Sequence, residues 1–83
     1  MTREQTIKEI RNAITNTRGY LNTNVCGYVN INGIHLTFLD WNNKPVLFFN
    51  FDKDTLYIWN GSHDDYRAAI IFSIRYENIT EIF

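Results

Sequence analysis

The dipeptide Asn32-Gly33 lies between two runs of alternating apolar residues, and it constrains this chain more than any other pair of residues in it. Both residues accept the positive φ that a type I′ turn requires, and a two-residue turn fixes the register of the strands it joins. Ile31 then stands opposite Ile34, Val29 opposite Leu36, and Gly27 opposite Phe38. In the last pair the phenyl ring covers a position that has no side chain of its own. The alternation predicts strands over about 25–31 and 34–41.

Upstream, the period is that of a helix. Thr2 and Gln5 have the capping-box spacing. Ile7, Ile10, Ile14 and Leu21 recur at helical intervals, with Thr17 filling the intermediate position. Glu4 and Lys8 form an i,i+4 pair, and Arg18-Gly19 reads as a stop, so a helix is predicted over about 3–18. Downstream, short apolar runs separated by polar turns predict strands over about 46–51, 55–59, 68–76 and 79–83. The stretch 62–76 carries two signals. Ser62 with Asp65 fits a helix cap before Ala68 and Ala69, but Ile70, Phe72, Ile74 and Tyr76 alternate, and their β-branched and aromatic content favours a strand.

The expected fold is α+β: an N-terminal helix packed on a five- or six-stranded antiparallel meander sheet, with closure into a small barrel as one form of it. With 83 residues the chain is read as a single domain, 1–83. Cys26 is its only cysteine, so no intrachain disulfide braces it. Hydrophobic residues make up 45% and aromatic residues 16%, which argues against disorder; a net charge of -1 argues against a protein that holds nucleic acid by bulk positive potential. No apolar run is long enough to predict a membrane span, and Met1-Thr2-Arg3-Glu4-Gln5 lacks the apolar core of a signal peptide. The expected location is cytoplasmic, and the sequons at Asn60 and Asn78 are read as chance. Asn and Ile occur eleven times each, a bias suited to an AT-rich source such as a low-GC bacterium or its phage.

Carrying the register forward over a four-residue loop at 42–45 sets Phe38 opposite Phe49 and Leu36 opposite Phe51. One face then collects Val25, Val29, Ile31, Ile34, Leu36, Phe38, Leu47, Phe49 and Phe51, the predicted core. The other collects Tyr28, His35, Leu39, Trp41, Val46 and Phe48. A four-residue turn at 52–55 would add Tyr57 and Trp59 to this second face and Leu56 and Ile58 to the core; a three-residue turn would reverse them. The second face is too apolar for a solvated sheet. Self-covering by a curled sheet, a homo-oligomer and a surface for a foreign partner each account for it.

Catalytic sets are not apparent. Cys26 and His35 are about two cross-strand pairs apart on the expected register, too far for a nucleophile and its base. His63, Asp64 and Asp65 are adjacent in a loop and lack zinc-type spacing, and Asp52-Lys53-Asp54 opens like a calcium loop but has Tyr57 in place of the sixth-position glycine and lacks the closing glutamate. The carboxylates Asp64/Asp65 and Glu77/Glu81 read as solvated turn residues. There is no phosphate-binding glycine motif. The sequence therefore points away from an enzyme and from a metal or cofactor. It points to a non-catalytic protein-binding module, of the kind a phage or mobile element uses to inhibit a host defence protein in the host cytoplasm. Its expected contact residues are Tyr28, His35, Trp41, Phe48, Tyr57, Trp59, Asp64 and Asp65. The alternatives are a structural homodimer and a single-stranded nucleic-acid or nucleotide binder that stacks bases on the aromatic face. For the latter, the outline resembles Sm-like RNA-binding barrels in shape. Asn32-Gly33-Ile34 and Ile74-Arg75 carry the likeness, while Tyr76 stands where that pattern has glycine and 55–59 adds a strand.

Overall fold

Asn32 and Gly33 have φ values of 52° and 86°, the left-handed conformation on which the hairpin depends. The structure is a computed structural model that describes residues 1–18, 27–40, 42 and 44–83, and the side chains of all of these except 16–18. Val25, Cys26, Trp41, Gly19 and Leu21 lie outside the described residues, as does the side chain of Thr17. The elements are α1 (Arg3–Arg18), β1 (Tyr28–Ile31), β2 (Ile34–Thr37), β3 (Phe48–Phe51), β4 (Thr55–Trp59) and β5 (Ile70–Arg75), followed by a 3-10 turn at Tyr76–Asn78.

The capping box at the head of α1 is reciprocal. Gln5 N donates to Thr2 Oγ1 at 3.2 Å and Thr2 N donates to Gln5 Oε1 at 2.9 Å. The buried face of the helix is rotated from the isoleucine stripe. Thr6, Ile10 and Ala13 are buried, while Ile7 and Ile14 are only partly so. Thr6 accepts complete burial because its hydroxyl donates to Thr2 O at 2.8 Å, which removes the cost of an unmet polar group. Glu4 and Lys8 form no ion pair; those among the described residues are Arg67–Asp65 and Arg75–Glu77.

β1 and β2 pair with Ile31 opposite Ile34 and Val29 opposite Leu36. Phe38 N donates to Gly27 O, and a Cβ on Gly27 would lie 2.7 Å from Phe38 Cζ, so the ring does occupy the space left by the missing side chain. Ile34, however, is exposed at the hairpin tip, and Leu39, expected on the outer face, is buried.

The meander breaks after β2. The sheets are two, β1-β2 and β3-β4-β5, and no barrel closes; β2 does not pair with β3, so Phe38 does not face Phe49 and Leu36 does not face Phe51. The cause is a loop tighter than expected. Asp40 Oδ1 accepts from Asn42 N and Lys44 N, and the chain closes through a single bridge between Leu39 and Pro45. Continuing this ladder would place Leu36 opposite Phe48, shifting the expected register by an odd number of residues and turning Phe49 and Phe51 away from the core. Pro45 stands at the non-bonded pair opposite Leu39, where no N–H is needed, and the last bond is Val46 N to Phe38 O.

The chain re-enters as β3. Phe51 pairs with Leu56 and Phe48 with Trp59, so the connection is the four-residue one. β5 pairs with β4 and carries a bulge opposite Ile58/Trp59. Residues 62–69 form turns, and the strand expected to run to Tyr76 ends at Arg75. The expected last strand is reduced to a bridge between Ile82 and Ile31, with Asn30 N donating to Phe83 O and Phe83 N to Asn30 O. This segment is held by Asn32. Its Nδ2 donates to Asn78 O at 2.7 Å, and its Oδ1 accepts from Thr80 N, Thr80 Oγ1 and Glu81 N.

The core joins the elements: Ile10 and Ala13 from α1, Val29 and Ile31 from β1, Leu56 and Ile58 from β4, with Phe38, Leu39, Tyr76 and Ile79 between them. No helix among the described residues is long and apolar enough to cross a membrane. Tyr76 sits where several strands of this order meet. Its hydroxyl donates to Asp52 O at 2.6 Å, and its carbonyl, with that of Ile79, accepts from the Met1 ammonium. Burial pushes the phenol above its ordinary pKa of 10.0, against the opposing pull of the Arg3 charge. The folded chain therefore keeps this proton to a higher pH than the unfolded chain. The stability it confers is complete below about pH 10 and is lost as pH rises through the folded value. Denaturant midpoints followed from about pH 9 to 11 should fall in the wild type and fall less steeply in Tyr76→Phe, which also loses about 1 kcal/mol for the missing hydroxyl.

Candidate partner-binding face

The alternation of β4 sorts its side chains. Leu56 and Ile58 are fully buried, and Tyr57 and Trp59 project from the opposite side of the sheet at intermediate exposure. Register then fixes their neighbours. Phe48 is the cross-strand partner of Trp59, and Tyr57 lies between Asn50 on β3 and Ser73 on β5. Three of the expected contact residues, Phe48, Tyr57 and Trp59, thus share the outer face of one three-stranded sheet. His63, from the loop after β4, meets the Trp59 ring edge-on at 5.9 Å between centroids. The indole Nε1 of Trp59 is buried without a hydrogen-bond partner.

Tyr28 and His35 belong to the other sheet. Their rings stack at 4.2 Å with 27° between planes, across the diagonal of the β1-β2 hairpin. The break in the meander therefore divides the expected continuous face into two aromatic patches on separate sheets. Trp41 lies outside the described residues.

The two acidic residues differ. Asp64 is exposed, whereas Asp65 is half-buried and works as a turn residue: its Oδ1 accepts from Arg67 N at 2.9 Å, and Ala68 N donates to its carbonyl. Its ion pair with Arg67, at 3.6 Å, is solvent-exposed and contributes little.

Three exposed apolar side chains on β5 and in the loop before it went unrecognised in the sequence, and one of them, Ile70, is the cross-strand partner of Trp59. Ile70 and Ile71 are both about half exposed, because the bulge in β5 interrupts the alternation that would bury one of them. Tyr66 is 92% exposed at the tip of the preceding turn, beside the guanidinium of Arg67. A bulge has no sequence signature here, and a tyrosine in a polar loop reads as ordinary. A shallow trough of about 430 Å³ continues the same face, with Tyr57 as one wall and Thr55, Ser73, Arg75 and Asn78 supplying hydrogen-bonding groups. Its one guanidinium stands 3.8 Å from Glu77. Stacking and hydrogen bonding are what this surface offers chemically. No group of three or more His, Cys, Asp or Glu side chains among the described residues is placed to hold a metal ion.

Comparison with protein-family models, with curated proteins and with solved structures finds no match.

The two sides of β4 should respond differently to truncation. Leu56→Ala should lower stability by about 2–5 kcal/mol through the cavity it leaves. Tyr57→Ser should cost about 1 kcal/mol or less, the value of its cross-strand contacts. Urea denaturation of the two variants checks this; equal losses would show that Tyr57 is part of the core.

Proposed function

We propose that the protein is a non-catalytic binding module that engages another protein through the outer face of β3-β4-β5. The observation that carries this reading is the grouping of Phe48, Tyr57 and Trp59, with Ile70 paired to Trp59 on β5, on a sheet whose opposite face already supplies the core. Tyrosine, tryptophan and aliphatic residues with few charges suit the buried centre of a protein interface, with Asp64 at the rim. His35 and Tyr28 form a second, smaller contact on the hairpin. Such a module acts by occupancy, and the AT-biased composition supports a phage or mobile-element inhibitor of a host defence protein as the setting.

The near-neutral charge favours a protein over a nucleic acid as the target. Phosphate tracking needs cations along the groove, and the trough offers Arg75 with Glu77 beside it.

Immobilised wild-type protein should retain a partner from a bacterial lysate, and the double variant Tyr57→Ser/Trp59→Ser, folded by circular dichroism, should not. Retention by both would contradict the assignment of this face. A tryptophan fluorescence response to single-stranded RNA or DNA that vanishes at high salt would favour the nucleic-acid reading instead. Concentration-dependent sedimentation lost in the same double variant would favour the homodimer.

A further inference from the structure

Each sheet edge presents the backbone groups that its neighbour does not use, and the strand register identifies them. Asp52 N donates to Thr55 O, so 52 and 55 form a bonded pair of the β3-β4 ladder. Bonded pairs alternate in an antiparallel ladder, so the next are 50 with 57 and 48 with 59. Phe49 and Phe51 therefore turn their N–H and C=O groups outward. Arg3 Nη2 reaches Phe51 O from outside the sheet at 3.3 Å, as that orientation requires. The same reasoning from Tyr76 N to Asp54 O turns Ser73 and Arg75 outward on β5, and from Phe38 N to Gly27 O turns His35 and Thr37 outward on β2.

These three edges are not equivalent. β5 is blunted by its bulge and by Arg75, two devices that discourage pairing with another strand. β2 has four residues, as β3 does, but three of them are exposed and none of them lines an apolar groove. β3 carries no charge, and beside it lies an apolar groove of about 310 Å³ lined by Leu47, Phe48, Phe49, Pro45, Leu39 and Phe38, with Ile14 of α1 at its side. Among the described residues, the outward N–H and C=O of Phe49 and the N–H of Phe51 have no partner.

From this coincidence of an unpaired edge and a groove, we infer that β3 is a strand-addition site for an extended segment of a partner polypeptide, one apolar side chain of which fills the groove. A donor and acceptor on Phe49 followed two residues later by a donor on Phe51 match the repeat of a β-strand. Successive side chains of the incoming strand point to opposite faces, so the residue paired near Phe49 enters the groove and its neighbours do not. A second copy of the chain is the poorer occupant. Its own β3 edge carries Arg3 over Phe51 O and Ile14 beside Phe49, so edge-to-edge pairing would bring two α1 helices and two guanidinium groups together. The site uses the edge of β3 and shares Phe48 with the outer aromatic face, but neither Tyr57 nor Trp59 lines the groove.

The test is to pan a displayed library of random peptides of about eight residues, the length of a strand, against the full chain. Enriched peptides should have apolar residues at alternating positions. Their complexes should slow amide exchange of Phe49 and Phe51 by about tenfold or more. N-methylation of alternate peptide nitrogens should abolish binding without any change to the protein, and Phe49→Pro, which removes an outward donor, should do the same. Tyr57→Ser, on the outer face opposite Asn50 and away from the groove, should leave peptide binding intact, which separates this site from the outer face. The inference is overturned if no peptide is enriched, if binding survives N-methylation at every position, or if the amides that slow lie elsewhere. It is equally overturned if the chain sediments as a dimer that Phe49→Pro disperses, which would make the second copy the occupant.

Discussion

Asn32 carries two structural duties, and the arrangement of the core follows from their combination. Its backbone, at φ 52°, makes the first half of the turn that joins β1 to β2. Its side-chain amide reaches across to the far end of the chain, donating to Asn78 O and accepting from the N–H groups of Thr80 and Glu81. The turn sets which residues of β1 face inward, and the side chain sets where the C-terminal segment runs. With both fixed, Ile79 enters the core and Ile82 stands opposite Ile31. The carbonyls of Tyr76 and Ile79 are then positioned to receive the Met1 ammonium, which ties the start of the chain to the same corner.

The second determinant is the parity of the loop between the sheets. The carboxylate of Asp40 gathers two backbone donors and closes the loop early, and in that register the ladder cannot continue without turning Phe49 and Phe51 to solvent. Ending the ladder and starting a new sheet keeps both phenylalanines against the core. The consequence reaches the candidate surface. One continuous aromatic face becomes two, with the Tyr28–His35 stack on the hairpin and Phe48, Tyr57 and Trp59 on the three-stranded sheet. It also leaves β3 as an edge rather than an internal strand, and so creates the unpaired backbone groups beside the groove.

The features legible in the sequence are those with local causes. Asn32-Gly33 specifies its turn through φ alone, Thr2 and Gln5 cap the helix across one turn, and Gly27 leaves room for the ring that its register places over it. The alternation within β4 is also local, and only the length of the turn before it was open. What escaped depends on partners distant in sequence. Thr6 looks like a solvent position until its hydroxyl is seen to bond Thr2 O, and Ile34 looks like core until the hairpin tip is seen to project. Leu39 changed sides because Phe38 N and Leu39 N both donate to Gly27 O, which breaks the alternation there. The amide of Asn32 gave no sign of bonding residues 46 to 49 positions away. The candidate site was legible to the same extent: Tyr57, Trp59 and Phe48 follow from register, whereas Ile70 and Ile71 reach the surface through a bulge that no residue announces.

The three-stranded sheet is held by more than its own ladder, because the C-terminal corner is tied to it through Tyr76, whose hydroxyl donates to Asp52 O and whose N–H donates to Asp54 O. The most direct test is amide hydrogen exchange in Asn32→Gly, a substitution that keeps the left-handed turn and removes the side-chain amide. The amides of Ile34 and Leu36 should remain protected, since the hairpin is intact. Those of Thr80, Glu81 and Phe83 should lose protection, and global stability should fall by about 1–3 kcal/mol. Unchanged protection at 80–83 with unchanged stability would contradict the central place given to Asn32.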